Sequence, residues 1–475
     1  MGTSILELKR ARFNQNVKNI FFYSGFFPLL CGFIAFATWV SGLTLIGLGI
    51  FVAIACYVFV SQEDMTPIIP LLFNVIMMFR SLSTASNLAM FIVLAPAAIS
   101  VLIHVFKYRY KPNLGKLFFP IVMVTVALFT GGITSPYIGD YLRGLASMIS
   151  LGPALIIVYL FFLNYLHPPK HFCLKTYFCK CVVFMTLFAG IMSTIVLYNQ
   201  EVLHNTVYTK NELGWANINV VGTMILLSIP LCFYLMIKTG HVLRWFSLVA
   251  IFTAFAFIIQ SSLVLLFLIT SLPVITCYSY FKIDQSNRVK YLNFAFGFLV
   301  LAVAVVCVIL VTDYTVLTNF FKIASVTNGR EMLYNEALSL IKENPLFGVG
   351  LGYYNDEFWF MNNDFKLSNL RVYNFHSTFL HVFATMGIIG MVAYVYYFIQ
   401  RTRTLTQKNS RYSKFAFTSF LLFSMHGMMD TCEFNMIPLV IILTLIFVVA
   451  EIDAKTPLYR DHLFTPKYPY SICKF

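Results

Sequence analysis

The sequence is poor in charge. Only 11% of its 475 residues are Asp, Glu, Lys or Arg, and acids are the scarcer kind, 19 against 33 basic residues. So little charge excludes a soluble globular protein of this length, whose surface must be solvated. The ten cysteines are scattered, and only Cys432 falls in an exported connection, which excludes a disulfide framework. Cys173, Cys179 and Cys181 cluster at one membrane face; zinc binding or acylation competes there with a plain juxtamembrane role. No small-residue cleavage pattern follows "MGTSILELKRARFNQNVK", so no removed signal is expected. The glycine-rich run lacks a following Lys-Ser/Thr, which excludes a nucleotide P-loop.

What the chain has is apolar length. Hydrophobic residues make up 59%, and the mean hydropathy is +0.79. Apolar segments near the length needed to cross a bilayer recur throughout. The expected fold is all-α, a polytopic transmembrane bundle of about fourteen spans. The segments are 18–40, 43–60, 65–80, 86–106, 116–132, 142–166, 177–199, 216–237, 243–260, 262–281, 290–312, 375–399, 412–428 and 435–452. The third is the weakest, being short and holding Pro67 and Pro70. With the N-terminus inside, most of the 33 Lys and Arg fall in cytoplasmic connections such as "KYRYKPNLGK" and "RTRTLTQKNSRYSK", or in the tails. This positive-inside bias puts both termini in the cytoplasm. It also accounts for the net charge of +14 without a nucleic-acid partner.

One connection is long: 313–374, on the outer side. The chain thus divides into an N-terminal transmembrane bundle (1–312), a large extracytoplasmic loop with catalytic elements (313–374), and C-terminal transmembrane helices with a cytoplasmic tail (375–475). Long ordered loops commonly carry function. Inside this one, "GREMLYNEALSLIKEN" reads as a short amphipathic helix, with Leu333, Ala337, Leu338 and Ile341 on one face. It would lie on the membrane surface or cap the bundle. Gly348, Gly350 and Gly352 then permit tight turns and close backbone approach to a ligand. His376 stands where the chain re-enters the membrane; it can titrate near neutral pH or simply cap the helix. Four arginines, Arg80, Arg143, Arg330 and Arg371, mark the face otherwise depleted of positive charge. They suggest an anionic, phosphate-bearing ligand in the outer leaflet, against the alternative of snorkelling to lipid headgroups. Asn217 and Asn219 could contact sugar or cap a helix. Gln260, Ser261 and Ser262 could bond substrate or form a turn. Tyr353, with Tyr354, Trp359 and Tyr373, could stack on sugars or belong to the interfacial belt. His381 reads as core. Glu331, Asp140 and Asp430 are outer carboxylates able to replace His376 as a base.

"GREMLYNEALSLIKENPLFGVGLG" followed by "HSTFLHVFATMGIIGMVAYVYYF" resembles the C-terminal region shared by the O-antigen ligase and O-antigen polymerase superfamily. The pattern is Gly-Arg, a short helix, Asn-Pro-x-x-Gly-x-Gly, then a His opening a transmembrane helix with Gly-x-x-Gly. "GWANINVVGTMILLSIP" and "FLLFSMHGMMDTCEF" are weaker echoes. The resemblance implies an integral-membrane, metal-independent glycosyltransferase without a cofactor. It would move glycan from undecaprenyl diphosphate, with inversion, to an acceptor sugar hydroxyl. Arg330 matches the family's diphosphate-binding arginine, and His376 the histidine proposed as base. Ligases usually carry a further arginine in a middle helix; Ser262 stands at that place. Arg143, Arg371 and Arg80, in that order, are its substitutes.

That absence and the span number favour a polymerase joining lipid-linked repeat units over a ligase acting on lipid A core. The expected partners are undecaprenyl-diphosphate-linked oligosaccharide, membrane lipid and a chain-length regulator protein, and the expected location is the bacterial inner membrane with the active site facing the periplasm. A flippase or transporter is the competing class. It would need polar groups near the midplane of several spans, where few occur.

Overall fold

The structure is a computed structural model of the full chain. It describes residues 21–79, 87–109, 112–134, 145, 148–169, 172–204, 218–259, 261–312, 330–351, 375–430, 433–434 and 437–452. Among them it contains fifteen helices and no strand. They are α1 Phe26–Val40, α2 Thr44–Ser61, α3 Ile68–Phe79, α4 Asn87–Lys107, α5 Phe118–Thr134, α6 Pro153–Tyr165, α7 Leu174–His204 and α8 Ile218–Thr239. There follow α9 Val242–Ile258, α10 Ser262–Lys282, α11 Gln285–Thr312, α12 Arg330–Glu343, α13 Thr378–Thr406, α14 Arg411–Gly427 and α15 Ile437–Ile452.

Every anticipated apolar segment carries a helix. Six are long and apolar enough to cross a membrane by length and composition alone, α13 among them despite the break at Gly387, and six more are apolar but shorter. The third segment shows why short ones occur. Pro67 precedes α3 and Pro70 falls in its first turn, where a missing N–H leaves no helical bond unmade. At 12 residues, α3 extends only about 18 Å, and most of its large side chains are buried.

The central element is α8, whose apolar window is wholly buried against α7, α9, α10 and α14. By contrast α10 and α11 keep much of their apolar surface exposed, as lipid-facing helices do. Two buried hydroxyl bonds tie α8 to its neighbours: Thr186 with Ser228, 2.7 Å, and Ser419 donating to Leu227 O, 2.7 Å.

The connections that the charge bias assigns to the cytoplasm gather at one end. Lys107 Nζ donates to Val60 O, Asn164 Nδ2 to Asn113 O, and Lys116 Nζ to Gln407 Oε1. Glu451 accepts from Lys116 N and from Tyr159 OH. Asp64, in the connection between α2 and α3, accepts from Tyr23 OH, Thr66 N, Thr66 Oγ1 and His167 N. Burial pushes its carboxyl above the usual carboxylate range, and these donors only partly offset that.

Two expectations are corrected here. The segment 375–399 is not one straight span. Gly387 inside α13 has φ 63 and ψ −163, outside any helix, and the chain folds back there. The rings of Phe379 and Tyr394 lie 5.7 Å apart, whereas fifteen residues of continuous helix would separate them by about 22 Å. Secondly, Arg401 is not in a cytoplasmic connection. α13 continues to Thr406, and Arg401 is completely buried inside the bundle.

Candidate functional site

The break in α13 is built from the glycine-rich sequence that precedes it. A helix interrupted at Gly387 exposes carbonyls on one arm and N–H groups on the other. The segment 344–350 satisfies both sets. Ile388 N donates to Pro345 O and Ile389 N to Leu346 O, while Val349 N donates to Ala384 O and Gly350 N to Thr385 O. This needs near contact of backbones. Gly348, Gly350 and Gly387 all have positive φ, a region that favours glycine. A Cβ on Gly131, near the end of α5, would stand 2.6 Å from Thr385 O and 2.7 Å from Phe347 O. Gly348, Gly350 and Gly387 therefore allow backbone to approach a broken helix. Gly352 lies outside the described residues.

The folded-back arm, starting at Thr378, is seated on α12. Ala337 and Leu340 of α12 are buried with Val349, Phe375 and Ala384, and Ile341 and Leu380 pack against them. Ala337 and Ile341 thus lie on the packed face as anticipated, Leu333 is half-buried, Leu340 joins them, and Leu338 is exposed. Tyr334 OH donates to the backbone oxygen of His376 at 3.3 Å. Arg330 opens α12, one turn before Tyr334. Its backbone therefore stands about 6 Å along the helix from a side chain that touches His376.

His376 itself has φ 45, the only positive φ of a non-glycine among the described residues. Such a conformation costs on the order of 1–2 kcal/mol and persists only when its surroundings impose it. The surroundings are polar and specific. His376 Nδ1 lies 3.2 Å from Asp430 Oδ1; the imidazole is 28% exposed and the carboxylate 1%. Thr378 Oγ1 donates to Asp430 O, and His381 N to Ser377 O closes the first turn of the arm. With Asp430 ionised and the imidazole neutral, the carboxylate can only accept, so Nδ1 carries the hydrogen and Nε2 presents its lone pair. Nε2 then has the form a general base requires.

Of the remaining sequence candidates, Asn219 opens a different stretch. Its carbonyl accepts from Thr223 Oγ1, which also lies 3.3 Å from His426 Nδ1, four residues before Asp430. Ser261 is buried beside Gly222 of α8. His381 is buried against Phe375, the core role assigned to it. Arg80, Arg143, Arg371, Asn217, Gln260 and Tyr353 lie outside the described residues, as do Asp140, Tyr354, Trp359 and Tyr373. Asp430, read from sequence as a rival base, pairs with His376. Tyr334 went unnoticed, although it stands four residues after Arg330 and so shares its helix face. Cys179 and Cys181 are buried thiols. Among the described residues no three His, Cys, Asp or Glu side chains come together as a metal-ion set.

Residues 214–395 match the family model described as O-antigen ligase. Over that stretch, which is less than half of the chain, the sequence is similar to the O-antigen ligase family. The match runs from the start of α8 past the break in α13, so it includes Arg330, the glycine-rich splice and His376. Asp430 lies beyond it. The family comprises glycosyltransferases of the O-antigen ligase and polymerase type, acting on lipid-linked glycans in a membrane setting. No curated protein and no solved structure matches the chain significantly.

Proposed function

We propose that this chain is a polysaccharide polymerase of the O-antigen type in the bacterial inner membrane. It transfers glycan from undecaprenyl diphosphate to a sugar hydroxyl of another lipid-linked repeat unit at the periplasmic face. The observation that carries this reading is the His376–Asp430 pair beside Tyr334 of α12, with His376 and α12 inside the stretch that matches the O-antigen ligase model and Asp430 beyond it.

The chemistry follows from those groups. The acceptor hydroxyl attacks the anomeric carbon as the bond from that carbon to the phosphate oxygen breaks. Its proton passes to His376 Nε2, and the lipid diphosphate leaves with the electron pair. One displacement inverts the anomeric configuration. Asp430 holds the imidazole in the required tautomer and stabilises the imidazolium that forms, a role worth orders of magnitude in rate where it has been dissected. Arg330 supplies a fixed positive charge for the leaving diphosphate. Arg143, Arg371 and Arg80, in that order, are the candidates for a second diphosphate contact. Asn217, Asn219, Gln260 and Tyr353 are the proposed sugar contacts. The lipid linkage stores the activation, so the proposal requires no nucleotide. A chain-length regulator would act on the growing product.

The test mixes purified protein with lipid-linked repeat units alone. A ladder of longer lipid-linked chains supports polymerisation. Product only on addition of a lipid A core acceptor would assign a ligase. Donor headgroup moved across liposomes without covalent change would assign a flippase.

A further inference from the structure

The turn that carries Asp430 is anchored from below by a second buried ionic group. Three residues after Asp430, Glu433 is 5% exposed and Arg401 is 0% exposed. Arg401 Nη1 donates to Glu433 Oε1, and Tyr394 OH donates to Glu433 Oε2 at 2.7 Å. The guanidinium also lies over the ring of Tyr397, 3.9 Å from its centre, and 5.1 Å from that of Phe420. Phe434 packs on Tyr394 at 5.6 Å, and Tyr394 on Phe379 at 5.7 Å. An ion pair this deep in an apolar bundle is expensive to desolvate and contributes little net stability, so packing alone gives no reason for it.

Its position supplies one. The turn after α14 touches both arms of α13. Glu433 takes Arg401 and Tyr394 from the arm after Gly387, while Asp430 takes His376 and Thr378 from the arm before it. A hinge with positive φ at its vertex is thereby cross-braced at its open side. We infer that Arg401 and Glu433 are positioning residues: they act as a strut that sets the angle between the two arms and so holds His376 against Asp430. They touch neither substrate nor leaving group. The inference rests on the reading of His376 as the base. Among the described residues, the groups facing His376 are Asp430 from the turn after α14, Tyr334 from α12, and His381 from its own arm.

The test replaces the pair by apolar groups, Arg401→Leu with Glu433→Leu, which leaves no lone buried charge and commonly preserves folding. A misplacement near 1 Å is enough to lower turnover by up to about 100-fold. The strut predicts kcat reduced at least about 10-fold with donor KM within about twofold, since binding is untouched. It also predicts an altered pH–rate profile and loss of the hydrogen-bonded Nδ1–H signal of His376 in the imidazole NMR spectrum. Wild-type kcat, profile and NMR signal in a folded double variant overturn the strut. Where that variant does not fold, Tyr394→Phe removes one bond to Glu433 and keeps the ion pair. A smaller change of the same kind supports the proposal, and wild-type behaviour overturns it. His376→Ala assayed in parallel separates the two claims: wild-type turnover there refutes the base assignment, whereas the NMR signal judges the strut without any turnover.

Discussion

Replacing Gly387 by alanine tests the broken helix directly. At φ 63 an alanine pays roughly 1–2 kcal/mol for the left-handed conformation. Its Cβ would also press on the Leu346 carbonyl and on Phe347 N, both parts of backbone with no side-chain freedom to yield. Relief requires 345–347 to move away, which breaks the bonds from Ile388 N to Pro345 O and from Ile389 N to Leu346 O. Each contributes about 1 kcal/mol, so the sum is about 3–4 kcal/mol. Gly297→Ala is the matched control. It lies in α11 with nothing within 4 Å of the added carbon, and helix propensity predicts a gain of up to about 1 kcal/mol. Thermal unfolding in detergent should show a midpoint lowered by at least about 3 °C for Gly387→Ala and unchanged or raised for Gly297→Ala. A Gly387→Ala protein that melts with the wild type would refute the argument that the glycine is required by the reversal.

Other consequences are open to the same treatment. Asp430→Asn keeps the shape of the turn but lets the imidazole take the wrong tautomer, and kcat should fall about 10²–10⁴-fold with donor KM little changed. Arg330→Lys retains charge but loses the planar fork, so donor KM should rise and transfer slow in a lipid-linked glycan assay; equal kinetics would remove Arg330 from the diphosphate site. Asp64→Ala unties four donors at the opposite end of the bundle and should lower the melting midpoint while leaving kcat per folded molecule intact. Because burial raises the Asp64 pKa, its stabilising contribution is greatest at low pH and declines as the pH rises through the folded-state value. The Asp64→Ala difference in melting should accordingly shrink toward higher pH.

Much of this was legible in the sequence because apolar length and charge asymmetry are local signals. Each anticipated segment carries a helix, and the connections rich in Lys and Arg meet at one end. The Gly-Arg helix and His376 were also legible, through the family pattern. What escaped was tertiary. Periodicity reads "HSTFLHVFATMGIIGMVAYVYYF" as a single span, because a reversal at one glycine leaves the hydropathy of both arms intact. The role of Gly348 and Gly350 depends on carbonyls 35 residues away, which no local reading supplies. Arg401 looked like one more cytoplasmic cation because a run of basic residues follows it, and its burial becomes visible only when Glu433 descends to meet it. Asp430 was seen as a carboxylate near the site, but spacing cannot distinguish a base from the partner of a base.

The most direct test of the central claim is a single-turnover measurement with lipid-diphosphate-linked repeat units, comparing wild type with His376→Ala under saturating donor. The account predicts formation of the inverted glycosidic linkage together with release of lipid diphosphate in the wild type, and loss of both by at least about 100-fold in the variant. Transfer at the wild-type rate by His376→Ala would contradict it.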